Sequence, residues 1–99
     1  MIKLLMTWDI KDGHDREYVQ FIMQEFGPAM AEAGLHLTDA WLKMYGEGPQ
    51  VLAGGITETL QRMHEILASK EWQELEAKLL TFVSNYERRI VEATGGFQF

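Results

Sequence analysis

The sequence predicts an α+β fold, an antiparallel four-stranded sheet with helices on one face. Three observations lead to it. The hydropathy period is two over the first ten residues, it lengthens to three-to-four from His14 onward, and the elements then follow in the order strand, helix, strand, strand, helix, helix, strand.

Taking the elements in turn, Ile2, Leu4, Met6, Trp8 and Ile10 alternate with Lys3, Leu5, Thr7 and Asp9, the pattern of a strand. Leu5 and Thr7 keep the second face from being charged throughout, so something covers that face too. A turn falls at Lys11-Asp12-Gly13. Beyond it Tyr18, Phe21 or Ile22, Phe26, Met30 and Ala33 recur at helical spacing, an amphipathic helix of about five turns. Asp12 or Gly13 is placed to cap its start and Gly34 to end it in a left-handed conformation. Pro28, inside the pattern, lacks a backbone donor and should loosen the helix near Gly27.

Leu35 to Tyr45 alternates Leu37, Asp39, Trp41, Lys43 and Tyr45 against Thr38, Ala40, Leu42 and Met44, the second set facing the helices. Gly46-Glu47-Gly48-Pro49 is a turn, and Val51 to Thr57 returns as a short strand with Gly54-Gly55 at its middle, the mark of a bulge or a close backbone approach. A short helix follows on Leu60, Met63, Ile66 and Leu67, capped by Thr57 or Thr59. A second helical run holds Trp72, Leu75, Leu79, Phe82 and Val83, with Ser69 as its N-cap and Glu71 in its first turn. Tyr86 to Ala93 closes the chain as a strand. This is the ferredoxin-like split βαβ plan with its second helix broken in two. Residues 1–94 form one domain, and 95–99 an aromatic tail, Gly-Gly-Phe-Gln-Phe, expected to pack on the body or on a partner.

Composition narrows the function. Hydrophobic residues are 46% and charged residues 24% of the 99, a globular balance with no room for a second domain. The absence of cysteine excludes disulfides, thiolate metal sites and a cysteine nucleophile, and suits the cytoplasm. A net charge of −6 with scattered cations argues against nucleic acid, and no stretch has the apolar length of a membrane span. Leu37, Trp41 and Tyr45 leave an apolar patch on the sheet face away from the helices. A twofold homodimer burying sheet against sheet covers it economically.

The stretch Glu71-Trp72-Gln73, Lys78-Leu79, Val83-Ser84, Glu87-Arg88-Arg89-Ile90-Val91 and Thr94 resembles the C-terminal part of NIPSNAP-type proteins. The hairpin Gly48-Pro49-Gln50-Val51 and the opening of strand, Gly13 and long helix resemble theirs as well. The resemblance covers most of the chain in order of elements, but specific residues only in its last third. It implies the dimeric α/β-barrel superfamily, related in fold to the antibiotic-biosynthesis monooxygenases, and so a fold and a dimer more than a chemistry. Family members commonly carry an aromatic residue late in the third strand, where this chain has Ala53-Gly54-Gly55-Ile56, so the family's packing there does not carry over. Haem-degrading members of the superfamily use an Asn on the first strand and a Trp and a His on later helices. Here those helix positions fall on Ile66 and Glu76 and the first strand has no Asn, so no haem is implied.

The residues weighed for chemistry are few. Asp39 shares a strand face with Trp41, where an indole beside a carboxylate would raise its pKa and suit a general base; the alternative is an ion pair with Lys43 or Arg88. His64, next to Met63 at the edge of a buried stripe, is a second catalytic candidate, or boundary packing. His14 and His36 are weaker. Trp41, Tyr45, Asp9 and Arg88 are the candidate ligand-binding residues, although adjacent Arg88 and Arg89 point to opposite faces and one of them is a surface ion pair. The histidine spacing fits no metal motif, so neither metal nor cofactor is expected. Two functions remain open: a dimer that binds or transforms a small apolar or aromatic molecule, as a cofactor-independent oxygenase-like or isomerase-like protein, or a non-catalytic interaction or structural homodimer.

Overall fold

The computed structural model describes residues 1–43 and 46–92; Tyr45 and the 95–99 tail lie outside the described residues. Strand β1 spans Ile2–Ile10, β2 His36–Leu42, β3 Val51–Thr57 and β4 Val83–Glu92. They form one antiparallel sheet in the order β2-β3-β1-β4, with helices α1 (Asp15–Phe21), α2 (Gly27–Ala33), α3 (Leu60–Ala68) and α4 (Lys70–Leu79). This is the ferredoxin-like plan. No helix among the described residues is long and apolar enough to cross a membrane.

The alternation in β1 acts as its spacing requires. Leu4, Met6 and Trp8 are almost fully buried against the helices, joined by Val51 and Ala53 of β3 and by Phe21, Phe26, Met30, Met63, Ile66, Trp72 and Leu79. The opposite face carries Lys3, Leu5 and Thr7, paired through β3 with Ile56, Gly54 and Leu52 and through β4 with Val91, Arg89 and Glu87. Apart from exposed side chains, no element among the described residues covers that second face.

Helix boundaries follow local chemistry. Thr59 caps α3 by accepting from the Arg62 N–H at 3.0 Å, and Ser69 caps α4 by accepting from the Trp72 N–H at 3.2 Å. Gly34 ends α2 at φ +95°, the left-handed region that a glycine enters without a Cβ clash. At the start of α1 neither Asp12 nor Gly13 caps; His14 holds the position and makes no side-chain bond there. Between α1 and α2 the helix widens into a π-helical turn, Ile22–Phe26, in which the Gly27 N–H reaches back to the Ile22 carbonyl. Pro28 sits in the first turn of α2, so the loosening expected near Gly27 takes the form of a π turn just before it.

Three boundary and facing expectations change. Phe82 ends the turn that follows α4 and Val83 begins β4, so neither belongs to the helical run. Asp39 bonds neither Lys43 nor Arg88 but Lys3, 2.9 Å away on β1. Leu37 pairs with Gly55 on the helix-facing side rather than sharing a face with Asp39 and Trp41. The cause is a bulge between Leu37 and Asp39, which inserts one residue and reverses the alternation for everything before it.

The paired glycines of β3 serve both faces by close approach. A Cβ at Gly55 would stand 2.9 Å from Met30 Cε and 3.4 Å from Leu35 Cβ, on the helix side. One at Gly54 would stand 2.8 Å from Asp39 Oδ2 on the other side. The bare backbone at Gly54 is therefore what lets the Asp39 carboxylate cross β3 to reach Lys3.

Candidate functional site

A cavity of about 400 Å³ lies between the α1–α2 helix and the helix-facing side of the sheet. Its origin is visible in side-chain size: Gly27 on the helix, Ala40 on β2 and Ala53 on β3 all border it, and Ala40 and Ala53 are register partners. Three small residues on three packed elements leave a volume that larger side chains would have filled. Trp8, Tyr18, Ile22, Phe26 and Met30 form its inner walls together with Val51. Exposed Val19, Leu37, Trp41 and Leu42 border its mouth, beside Asp15.

The helix geometry serves this space. Gly27 accommodates the π turn because a Cβ there would come within 3.2 Å of the Ile22 carbonyl oxygen. Ile22 and Phe26 belong to that turn, Gly27 follows it directly, and all three line the cavity, so the widened turn is part of the wall. Single π turns inside α-helices occur often at functional sites.

Trp8 is the floor. Its ring meets Tyr18 edge-on at 6.5 Å and Phe26 edge-on at 6.0 Å, with Tyr86 behind it at 6.1 Å. The indole Nε1 donates to the Tyr18 hydroxyl at 2.9 Å, deep in the protein. Tyr18 is only 8% exposed, and burial raises its pKa above the ordinary tyrosine value, partly offset by the Trp8 bond. It is a neutral phenol across the physiological range.

The residues singled out in the sequence are not brought together. Asp39 lies on the open face of the sheet, where the bond from Lys3 holds its carboxyl below the usual range and Thr38 donates a further bond at 3.0 Å. Asp9 accepts from the Asn85 side chain and from the Gln50 N–H, both at 2.8 Å, and those two bonds lower its pKa. It ties the β2–β3 loop to β4, at a point where Asn85 adopts a left-handed φ of +55°. Arg88 turns to the helices and pairs with Glu76 at 3.1 Å, and the Tyr86 hydroxyl donates to the same carboxylate at 2.6 Å. Burial, and then Glu76, push the Tyr86 pKa up. Arg89 is the one that reaches the open face, opposite Leu5. His64 is exposed on α3, away from the cavity, and of the candidates among the described residues Trp41 alone borders it.

Neither aspartate is therefore poised as a base beside an indole: each is held ionised by donors of this chain. Among the described residues no three His, Asp or Glu side chains gather as a metal site requires. Tyr18 is the residue that sequence reading missed. Its spacing places it in the apolar stripe of the helix, and the signal available there is a phenol among otherwise apolar side chains.

The arrangement defines a class, a small split βαβ domain with an apolar chamber between its layers and an open sheet face. Its fold is that of NIPSNAP-domain proteins. A NIPSNAP domain protein of Burkholderia xenovorans is similar to this chain with a TM-score of 0.70 at 15% identity, over 99% of this chain and 98% of its own. A second, NIPSNAP-like protein of the same organism aligns at 22% identity and a TM-score of 0.68, covering 98% of this chain and 87% of its own. A putative antibiotic biosynthesis monooxygenase of Deinococcus radiodurans aligns over 100% of this chain and 98% of its own, at 18% identity and a TM-score of 0.74. No protein-family model and no curated protein sequence matches the chain. The likeness is one of fold, which hosts many unrelated activities.

Proposed function

We propose that this protein is a homodimer that binds a small apolar molecule in the chamber between α1–α2 and the sheet. The observation that supports it is the chamber itself, about 400 Å³ walled almost wholly by aromatic and aliphatic side chains, with one buried hydroxyl. Ligand sites have this volume and this makeup, apolar walls with few convergent polar groups. Binding is the reading, not proton abstraction. Among the described residues the only carboxylate at the chamber is exposed Asp15 at its mouth, and Asp39 lies on the far side of the sheet.

The homodimer rests on the open face. Strands about 4.8 Å apart and 3.3 Å per residue make a four-stranded face on the order of 500 Å² per subunit before side-chain relief. Two such faces approach the total area of about 1,200–2,000 Å² that stable interfaces bury. Trp41 is 69% exposed beside this face. Lys3 and Arg89 there balance Asp39 and Glu87, so two copies meet without the repulsion that a chain of charge −6 would otherwise bring. The lack of cysteine fits the reducing cytoplasm.

A thermal-shift screen against a metabolite library tests the binding reading, since a ligand bound only by the native state raises the melting temperature by mass action. Apolar ring compounds are expected to raise it in the unmutated protein and not in Ala40→Phe, which fills the chamber. A screen without such hits favours the rival reading, a structural or interaction homodimer.

A further inference from the structure

The chamber has one polar group that its own protein leaves half used. The Tyr18 oxygen accepts from Trp8 Nε1 at 2.9 Å, and its proton has no acceptor among the described residues. At 8% exposure water gives that proton little relief, and a buried donor without a partner costs free energy. The pair is also polarised in one direction, because a hydroxyl that accepts a bond becomes a better donor.

We propose that the chamber recognises a neutral, ring-bearing molecule through one carbonyl oxygen, which accepts a hydrogen bond from the Tyr18 hydroxyl. This rests on the binding reading above and deepens it. The ring follows from the walls: Trp8, Tyr18 and Phe26 present aromatic surface that a flat apolar body covers well. Neutrality follows from charge. Among the described residues no Lys or Arg lines the chamber to pair with a carboxylate or phosphate, and Asp15 at the mouth repels one. A carbonyl rather than a group that only donates, such as an ammonium or an indole N–H, follows from the donor. Trp8 has already filled one acceptor position on the phenol oxygen, so the group most needed opposite it is an acceptor. Burial keeps Tyr18 protonated, so the donor persists across the physiological pH range.

Two probes of the same shape decide the matter, 2-acetylnaphthalene and 2-isopropenylnaphthalene, which differ in a carbonyl oxygen against a methylene. Titrated into the full chain and followed by tryptophan fluorescence, the acetyl probe is expected to bind roughly three- to tenfold more tightly, the range of one hydrogen bond. In Tyr18→Phe the preference disappears while the isopropenyl probe still binds, which also shows that the variant is folded. Infrared spectroscopy of the carbonyl-labelled acetyl probe gives an independent reading in the unmutated protein: the bound stretch falls below its value in an apolar solvent. Equal binding of the two probes with an unshifted stretch overturns the carbonyl inference and leaves the chamber as an apolar site. Failure of both probes to bind overturns this inference and the binding reading together.

Discussion

Adding one methyl at Gly55 and one at Gly54 separates the two faces of β3 and gives opposite expectations for adjacent residues. At Gly55 the new Cβ would stand 2.9 Å from Met30 Cε, 3.4 Å from Leu35 Cβ and 3.5 Å from the His36 carbonyl oxygen. Overpacking a core costs about 1–3 kcal/mol, whereas replacing glycine at a negative φ returns about 0.4–1 kcal/mol through the unfolded chain. Met30 borders the chamber and its Cε is the end of a flexible side chain, which favours the lower part of the range. The net expectation for Gly55→Ala is a loss of roughly 1 kcal/mol. At Gly54 the close contacts of the Cβ are side-chain ends, Asp39 Oδ2 at 2.8 Å and Leu5 Cδ2 at 3.3 Å, with Asp39 Cβ at an ordinary 3.4 Å. The carboxylate swings away from Lys3, which removes a partly exposed pair worth about 0.2–1 kcal/mol and is offset by the same gain in the unfolded chain. Gly54→Ala should therefore be neutral within about 0.5 kcal/mol. Urea denaturation at one fixed protein concentration measures both. Gly54→Ala costing as much as Gly55→Ala would refute the view that the first approach is to a yielding carboxylate and the second to packed core.

Three further outcomes follow from the same structure. Light scattering at micromolar concentration should give about twice the 11.4 kDa chain mass, and Trp41→Glu should give monomers or insoluble protein by placing a charge in the interface; a folded monomer in the unmutated protein would remove the dimer. Asp9 and Asp39 both have folded pKa values below the ordinary carboxylate value, so their stabilisation is complete above about pH 4–5 and is lost as pH falls through the folded values. Acid denaturation curves of Asp39→Asn should be flatter in that window than those of the unmutated protein, and an unchanged acid limb would show that the Lys3 pair contributes nothing. Ala40→Phe should raise stability or leave it level by filling empty volume, since Ala40 sits at an exposed edge that can yield; a loss above about 2 kcal/mol would mean that the chamber is already occupied by packed side chains.

Much of the fold was legible because it follows from local signals. The period-two alternation of Ile2 to Ile10, the caps at Thr59 and Ser69 and the left-handed stop at Gly34 each need only neighbours in sequence. What escaped depends on register or on distant partners. A single inserted residue at the β2 bulge moved Leu37 to the helix face, and no pattern within Leu35 to Tyr45 marks it. The partner of Asp39 is 36 residues away and is reached only because Gly54 is bare. The choice between Arg88 and Arg89 depends on which one meets Met6 in the β1–β4 register. The chamber is the extreme case: Gly27, Ala40 and Ala53 are unremarkable small residues until three elements place them opposite one another. Sequence pattern located the buried stripe containing Tyr18 but could not show that Trp8 would take only half of its hydroxyl.

The central claim, an apolar ligand seated between α1–α2 and the sheet, is tested most directly by methyl NMR of the methionines. Labelled at their methyl carbons, three of the six methionines report from distinct places. Met30 lines the chamber, Met63 is a buried residue of α3 outside its walls, and Met23 is exposed to solvent on the π turn. Titration with 2-acetylnaphthalene should move the Met30 signal in a saturable way and leave Met63 in place. A shift confined to exposed Met23, or a Met30 signal that does not move at saturating probe, would contradict it.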